Sequence, residues 1–262
     1  IVKQSKGEYE ISVILPLYSL KMNPKYFNKL VYLGQTTVKL SWRNQYCGIY
    51  KYAESGVTYY FIDNEYYFKR TNFYGYFDDG ERFAYFSKAA IEVMIYLNEI
   101  PDILHCHDWQ SGMTSVYLRT LYYNDERFKN LKSIFTIHNI EYQGKYSFDD
   151  DIIEDVFGIS INDAYLFEYN GLINIMKGAM EAVGIDGGRL DVVLMQLVNL
   201  MKDGKPVKMS KRTGKAITLV DLLDEVPIDA VRFLFNMREA GSAMDFDLDL
   251  AVEQSNQNPV YY

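Results

Sequence analysis

Pro101-Asp102-Ile103-Leu104-His105-Cys106-His107-Asp108-Trp109-Gln110 and Leu131-Lys132-Ser133-Ile134-Phe135-Thr136-Ile137-His138 are the two stretches whose reading decides the fold. Each opens with an apolar run of strand length, and Gly112 to Tyr123 between them reads as a helix. Strand, helix and strand in that order form a βαβ unit. Such units build a parallel, doubly wound sheet in which ligands bind beyond the carboxyl ends of the strands. Both histidine motifs fall at such ends. The expected class is α/β, with a Rossmann-like parallel sheet.

Working outward, Glu10-Ile11-Ser12-Val13-Ile14-Leu15-Pro16-Leu17-Tyr18 reads as a buried strand ended by proline. Tyr46 to Asp63 reads as a hairpin around the polar turn Ala53-Glu54-Ser55-Gly56, its aromatics taken as sheet packing rather than a sugar platform. From Glu81 the pattern turns helical. Phe83, Phe86, Ala90, Val93, Met94 and Leu97 form one stripe, and Asp78-Asp79 stand near the positive end of the helix.

At 262 residues and 48% hydrophobic content the chain has material for one large or two ordinary globular domains. A net charge of −8 argues against a surface devoted to phosphate backbones. No apolar run of about 18 residues is present, and the N-terminus has no signal-peptide core, so no membrane partner and a cytoplasmic location are expected. Cys47 and Cys106 give no disulfide framework and are expected to be buried and reduced.

Composition changes abruptly near Lys177-Gly178-Ala179-Met180. Of 24 Tyr only Tyr261 and Tyr262 lie beyond it, and every Trp, Cys and His precedes it. Two domains are therefore expected, residues 1–178 and 179–262. Asn170 to Val183, apolar at Leu172, Ile173, Ile175, Met176, Ala179, Met180 and Val183, reads as one continuous amphipathic helix across the join. Past it, Lys202, Lys205, Lys208, Lys211, Arg212 and Lys215, interrupted by Gly204, Pro206 and Gly214, predict a basic loop.

The segment His105 to Gln110 sets two imidazoles on one face of an extended chain, followed by a carboxylate and an indole. The residues alone leave three readings open: satisfied core histidines, sugar or small-ligand contacts, and a zinc site completed by His138. For the basic loop, a solvated turn and an anion site are both open.

Taken together, Asp79-Gly80-Glu81-Arg82-Phe83, Pro101 to Trp109 and Phe135-Thr136-Ile137-His138-Asn139-Ile140-Glu141-Tyr142-Gln143-Gly144 resemble the bacterial glycogen (starch) synthase family. The resemblance runs through residues 8 to 178. It implies one of two Rossmann-like domains facing a cleft, and glucose transfer from ADP-glucose to an α-1,4-glucan (glycogen) with retention. It further implies that His107 is the catalytic histidine near the transferred glucose, and that Asp108, His138, Asn139, Tyr142 and Gln143 line or support the acceptor side. No metal or cofactor is implied. The family's Lys-Thr-Gly-Gly-Leu loop and second domain are not in this sequence, so an incomplete donor site is expected.

Val192 to Leu200, Lys208-Met209-Ser210-Lys211, Asp229-Ala230-Val231-Arg232-Phe233 and Ser255 to Tyr262 resemble class I arginyl-tRNA synthetases. This resemblance implies a smaller, mainly helical fragment in which Lys208, Met209, Ser210 and Lys211 close over ATP during arginine activation. In an intact synthetase tRNA would be the partner. The His-Ile-Gly-His partner motif is absent, so this site too is expected to be incomplete. The expectation for the whole is a chimera, with glucosyl transfer leading, arginine activation as the alternative and an inactive fusion fragment as the third reading.

Overall fold

The computed structural model describes residues 8–184, 198–207, 219–239, 241–256 and 258–260. Contacts divide the chain into two compact units, Ile1–Arg189 and Leu190–Tyr262.

The first unit opens with β1 (Ile11–Pro16), a short helix α1 (Pro24–Phe27), and strands β2 (Val31–Leu40), β3 (Arg43–Glu54) and β4 (Val57–Asp63). The expected hairpin is β3–β4. Its turn is Ser55-Gly56, with φ of 55° and 80°, the left-handed pair that matches strand twist in a tight hairpin. The sheet order is β1-β4-β3-β2, with β1 parallel to β4 and the other pairs antiparallel. As an edge strand β1 is only part-buried, with Leu15 40% exposed, which corrects its reading as a buried strand.

After the short α2 (Glu65–Phe68) comes α3 (Asp79–Leu97), starting two residues before the expected Glu81. It is buried on more than one stripe, since Arg82, Ala84, Tyr85 and Ile91 are covered along with Phe83, Phe86, Ala90, Val93 and Met94. Asp78 and Asp79 serve ion pairs. Asp78 takes two 2.6 Å bonds from Arg70, while Asp79 pairs with buried Arg82 and accepts the Gly75 and Tyr76 N–H groups. Asn98 at φ 54° closes the helix, its N–H returning to Ile95 and Met94.

The predicted βαβ unit is β5 (Ile103–His107), α4 (Asp108–Arg119) and β6 (Lys132–Thr136), with β5 and β6 parallel. The helix begins at Asp108 rather than Gly112, because Asp108 turns the chain at φ 57° directly out of the strand. One face of β5 carries Leu104 and Cys106 toward the core; the other carries Ile103, His105 and His107 outward. Cys47 and Cys106 are buried free thiols, the former pushed up to about 12 by burial.

The expectation of one helix from Asn170 to Val183 fails. Strands β7 (Lys145–Ser147), β8 (Glu168–Tyr169) and β9 (Leu172–Asn174) form a small antiparallel sheet, and α5 starts only at Ile175 and runs to Ala182. The physical reason is Asn170-Gly171. Both residues sit at left-handed φ, 54° and 74°, and reverse the chain between β8 and β9. Asn174 then caps α5 by accepting the Lys177 N–H at 3.0 Å. This helix packs on α4, where Gly112 meets Ile175 and Ala179, and Met180 and Ala182 join the same core.

The second unit contains β10 (Val198–Lys202), β11 (Lys205–Pro206), α6 (Leu219–Glu225), α7 (Ile228–Asn236), β12 (Met244–Asp247) and α8 (Leu248–Val252). Its core gathers Leu200, Leu222, Val226, Val231, Phe246 and Leu248. The polar turn Asp203-Gly204 reverses the chain between β10 and β11 at left-handed φ. Beside its helices this unit carries a three-stranded sheet, β11-β10-β12, that the mainly helical expectation did not include. Among the described residues, no helix is long and apolar enough to cross a membrane.

Candidate functional site

Parallel pairing of β5 with β6 sets His107 beside Thr136 and brings the following residues to one sheet edge. His107 Nδ1 meets His138 Nε2 at 3.0 Å, and their rings lie nearly parallel with centroids 5.2 Å apart. His105 stacks under His107 at 4.1 Å, its Nε2 held by the Thr136 hydroxyl at 2.6 Å. His105 and His107 are therefore stacked face to face, while His107 and His138 lie edge to edge, joined nitrogen to nitrogen. Burial and the neighbouring His105 and His138 hold His107 below its ordinary value, with Asp108 pulling the other way. At neutral pH the ring is an uncharged, oriented dipole. Among the described residues, no group of three or more His, Cys, Asp or Glu side chains is arranged to hold a metal ion.

Asp108 works as a hinge. Its left-handed backbone turns the chain into α4, and its carboxylate accepts the His138 N–H at 2.7 Å, tying the end of β6 to the end of β5. Ser111, one turn into α4, accepts the His107 N–H at 2.7 Å and donates to the His107 carbonyl at 2.8 Å. Trp109 is buried and packs edge-on against Phe83 at 5.2 Å, so the indole is structural.

Beyond His138 the chain forms a loop to Gly144. His138, Asn139 and Tyr142 are exposed, Tyr142 at 62%, and Gln143 is half-buried. Gln143 donates from Nε2 to the Ile140 carbonyl and accepts at Oε1 from Asn174 Nδ2, both at 2.7 Å. Contacts therefore join His107, Asp108 and His138 at the strand ends, and Asn139, Tyr142 and Gln143 lie on the loop that follows. The structure adds Thr136, Ser111 and Asn174, which sequence reading did not single out. Ser111 lay within reach as the polar residue four past His107; Thr136 and Asn174 act across strands and left no local signal. Lys208, Met209, Ser210 and Lys211 lie outside the described residues.

The matched family model is described as the starch synthase catalytic domain and covers residues 3–183. A glycogen synthase of Desulfitobacterium hafniense is 44% identical over 174 residues, 65% of this chain and 37% of that protein. One from Alkaliphilus metalliredigens is 43% identical over 179 residues, 65% of this chain and 36% of its own length. The solved catalytic domain of starch synthase IV from Arabidopsis thaliana, bound to ADP and acarbose, is 28% identical with a TM-score of 0.58. It covers 68% of this chain, which spans 37% of that structure. The chain thus spans little more than a third of the length of the relatives it matches. An arginyl-tRNA synthetase structure from Campylobacter jejuni is 39% identical over 34% of this chain, but its TM-score of 0.28 carries no structural argument. By its match over residues 3–183, and with its histidine cluster at the carboxyl ends of β5 and β6, the chain belongs to the starch synthase catalytic-domain family.

Proposed function

We propose that residues 1–178 form the acceptor side of a retaining glucosyltransferase site, which takes glucose from ADP-glucose to the end of an α-1,4-glucan. The observation that carries this reading is the imidazole pair His107–His138 at the carboxyl ends of two parallel strands, beside an exposed polar loop. Departure of a nucleoside diphosphate builds positive charge on the sugar and negative charge on the phosphate, so the site needs oriented dipoles more than a strong nucleophile. His107 serves as the catalytic dipole, kept neutral by its surroundings. Asp108 holds His138 in register, and Asn139 and Tyr142 meet the glucan hydroxyls and ring faces. The setting is cytoplasmic.

The test is calorimetric titration of the chain with maltoheptaose, with His107→Ala and Tyr142→Ala beside the wild type. Binding weakened several-fold or more in both variants supports the reading; binding by neither variant nor wild type overturns it. Incorporation of labelled glucose from ADP-glucose, expected to stay at background for this chain alone, reports whether the donor side is complete.

For residues 179–262 the reading is an arginyl-tRNA synthetase fragment, making the chain a chimera. Its support is the Lys208-Met209-Ser210-Lys211 motif and a separate compact core around Phe246. Those four residues would meet ATP, with tRNA the partner of an intact synthetase. Arginine-dependent ATP–pyrophosphate exchange is the measurement, and loss of any such exchange in Lys211→Ala is the expected signature. Exchange at background in the wild type would fit an inactive fusion fragment instead.

A further inference from the structure

We infer that Asn174 is a positioning residue for the acceptor loop, acting through Gln143; the inference rests on the acceptor reading above. Asn174 is 4% exposed and lies at the junction of β9 and α5. Its two amide ends do different work. Oδ1 accepts the Lys177 N–H at 3.0 Å and caps α5, while Nδ2 donates to Gln143 Oε1 at 2.7 Å. Two backbone bonds run beside it, from the Ile175 N–H to the Gly144 carbonyl and from the Met176 N–H to the Gln143 carbonyl, each 3.1 Å. Residue 174 is also the register partner of Lys145. The far end of the loop is thereby stapled to α5, as its near end is tied to Asp108 through His138.

This arrangement assigns Gln143 a role. Oε1 is taken by Asn174 and Nε2 by the Ile140 carbonyl, so its amide braces the loop instead of facing sugar. Tyr142, one residue earlier, is left turned outward at 62% exposure. Asn meets both demands on position 174 at once, with one amide. Aspartate keeps the cap acceptor but has no donor for Gln143 Oε1, and a Gln143 amide turned to satisfy it would aim Oε1 at the Ile140 carbonyl. Asn174→Asp therefore separates capping from positioning.

The experiment is hydrogen-exchange mass spectrometry and maltoheptaose titration on the full chain, comparing wild type, Asn174→Asp, Gln143→Ala and the double variant. In Asn174→Asp the segment 138–144 is expected to exchange about tenfold faster and glucan affinity to fall about tenfold, as for loss of one buried bond. Segment 175–182 should keep its protection, because the cap remains. Gln143→Ala should loosen the loop at least as much, since it also removes the bond to the Ile140 carbonyl, and the double variant no more than Gln143→Ala alone, since the Asn174–Gln143 bond is already gone there. Unchanged exchange over 138–144 in Asn174→Asp, or additive effects in the double variant, overturns the role of Asn174. Wild-type binding with undiminished affinity in Asn174→Asp does so as well, while leaving the acceptor reading intact. No maltoheptaose binding by the wild type sinks the acceptor reading, and the acceptor role of Asn174 with it.

Discussion

His107 Nδ1 and His138 Nε2 share a 3.0 Å hydrogen bond across 31 positions of sequence, because β5 and β6 run parallel and end at the same edge. One facing nitrogen must donate and the other accept, so the pair holds a single proton between them. A second proton would set two donors face to face, beside the stacked ring of His105.

That geometry gives a pH prediction with a definite sign. His107 is held below its ordinary 6.5 by burial and by His105 and His138, so the unfolded chain takes up its proton first. The linked stability is fully present above 6.5 and is lost as pH falls through the lower folded value. Melting followed by circular dichroism should show a drop from about pH 8 to about pH 5 that shrinks in His107→Gln. A wild-type-to-variant difference that does not change with pH would rule the linkage out.

Gly144 is a second point of leverage. A Cβ there would lie 2.5 Å from Trp109 Cε3, and its φ of +65° already favours glycine. The indole is wedged between Phe83 and Tyr146 and has little room to retreat. Gly144→Ala should cost about 1–3 kcal/mol in urea denaturation and shift the tryptophan emission of the folded state.

Arg82 and Arg127 offer a contrast between buried and exposed ion pairs. Arg82 is fully covered, pairs with Asp79, and donates Nε to the Tyr67 carbonyl at 2.8 Å. Arg82→Met leaves the Asp79 carboxylate without its partner and should cost about 3–5 kcal/mol. Arg127, 48% exposed beside Asp125, should cost under about 1 kcal/mol when changed to Met. Urea midpoints of the two variants measure the difference.

Tyr142 tests the surface directly. At 62% exposure its removal should alter stability by no more than about 0.5 kcal/mol, while maltoheptaose affinity falls several-fold. A Tyr142→Ala chain that melts like the wild type and binds glucan equally well would remove this residue from the acceptor surface.

Much of this is legible in the amino-acid sequence. The βαβ unit around His107 and His138, the β3–β4 hairpin and the start of the polar turn at Asp203 all follow from apolar runs and turn residues. Of the six residues singled out in the first unit, His107, Asp108 and His138 are in direct contact, and Asn139, Tyr142 and Gln143 follow on the adjoining loop. What escaped was set by competition between signals. Asn170 to Val183 has a helical stripe, yet Asn170-Gly171 within it is a stronger local instruction, and the chain reverses there. On α3, the single-stripe pattern understated burial because Arg82, though charged, finds enough partners inside to be covered.

Periodicity and turn chemistry act within a few residues, so most local elements and the family resemblance are legible from the chain alone. The tertiary structure alone decided that His107 faces His138, that Asp108 ties down the His138 N–H, and that Asn174 clamps Gln143. Those pairs stand about 30 residues apart, 31, 30 and 31 in turn. Their meeting depends on strand register, in which a slip of one residue would turn each side chain to the opposite face. Register is fixed by the burial of the whole core, a property that no single segment carries.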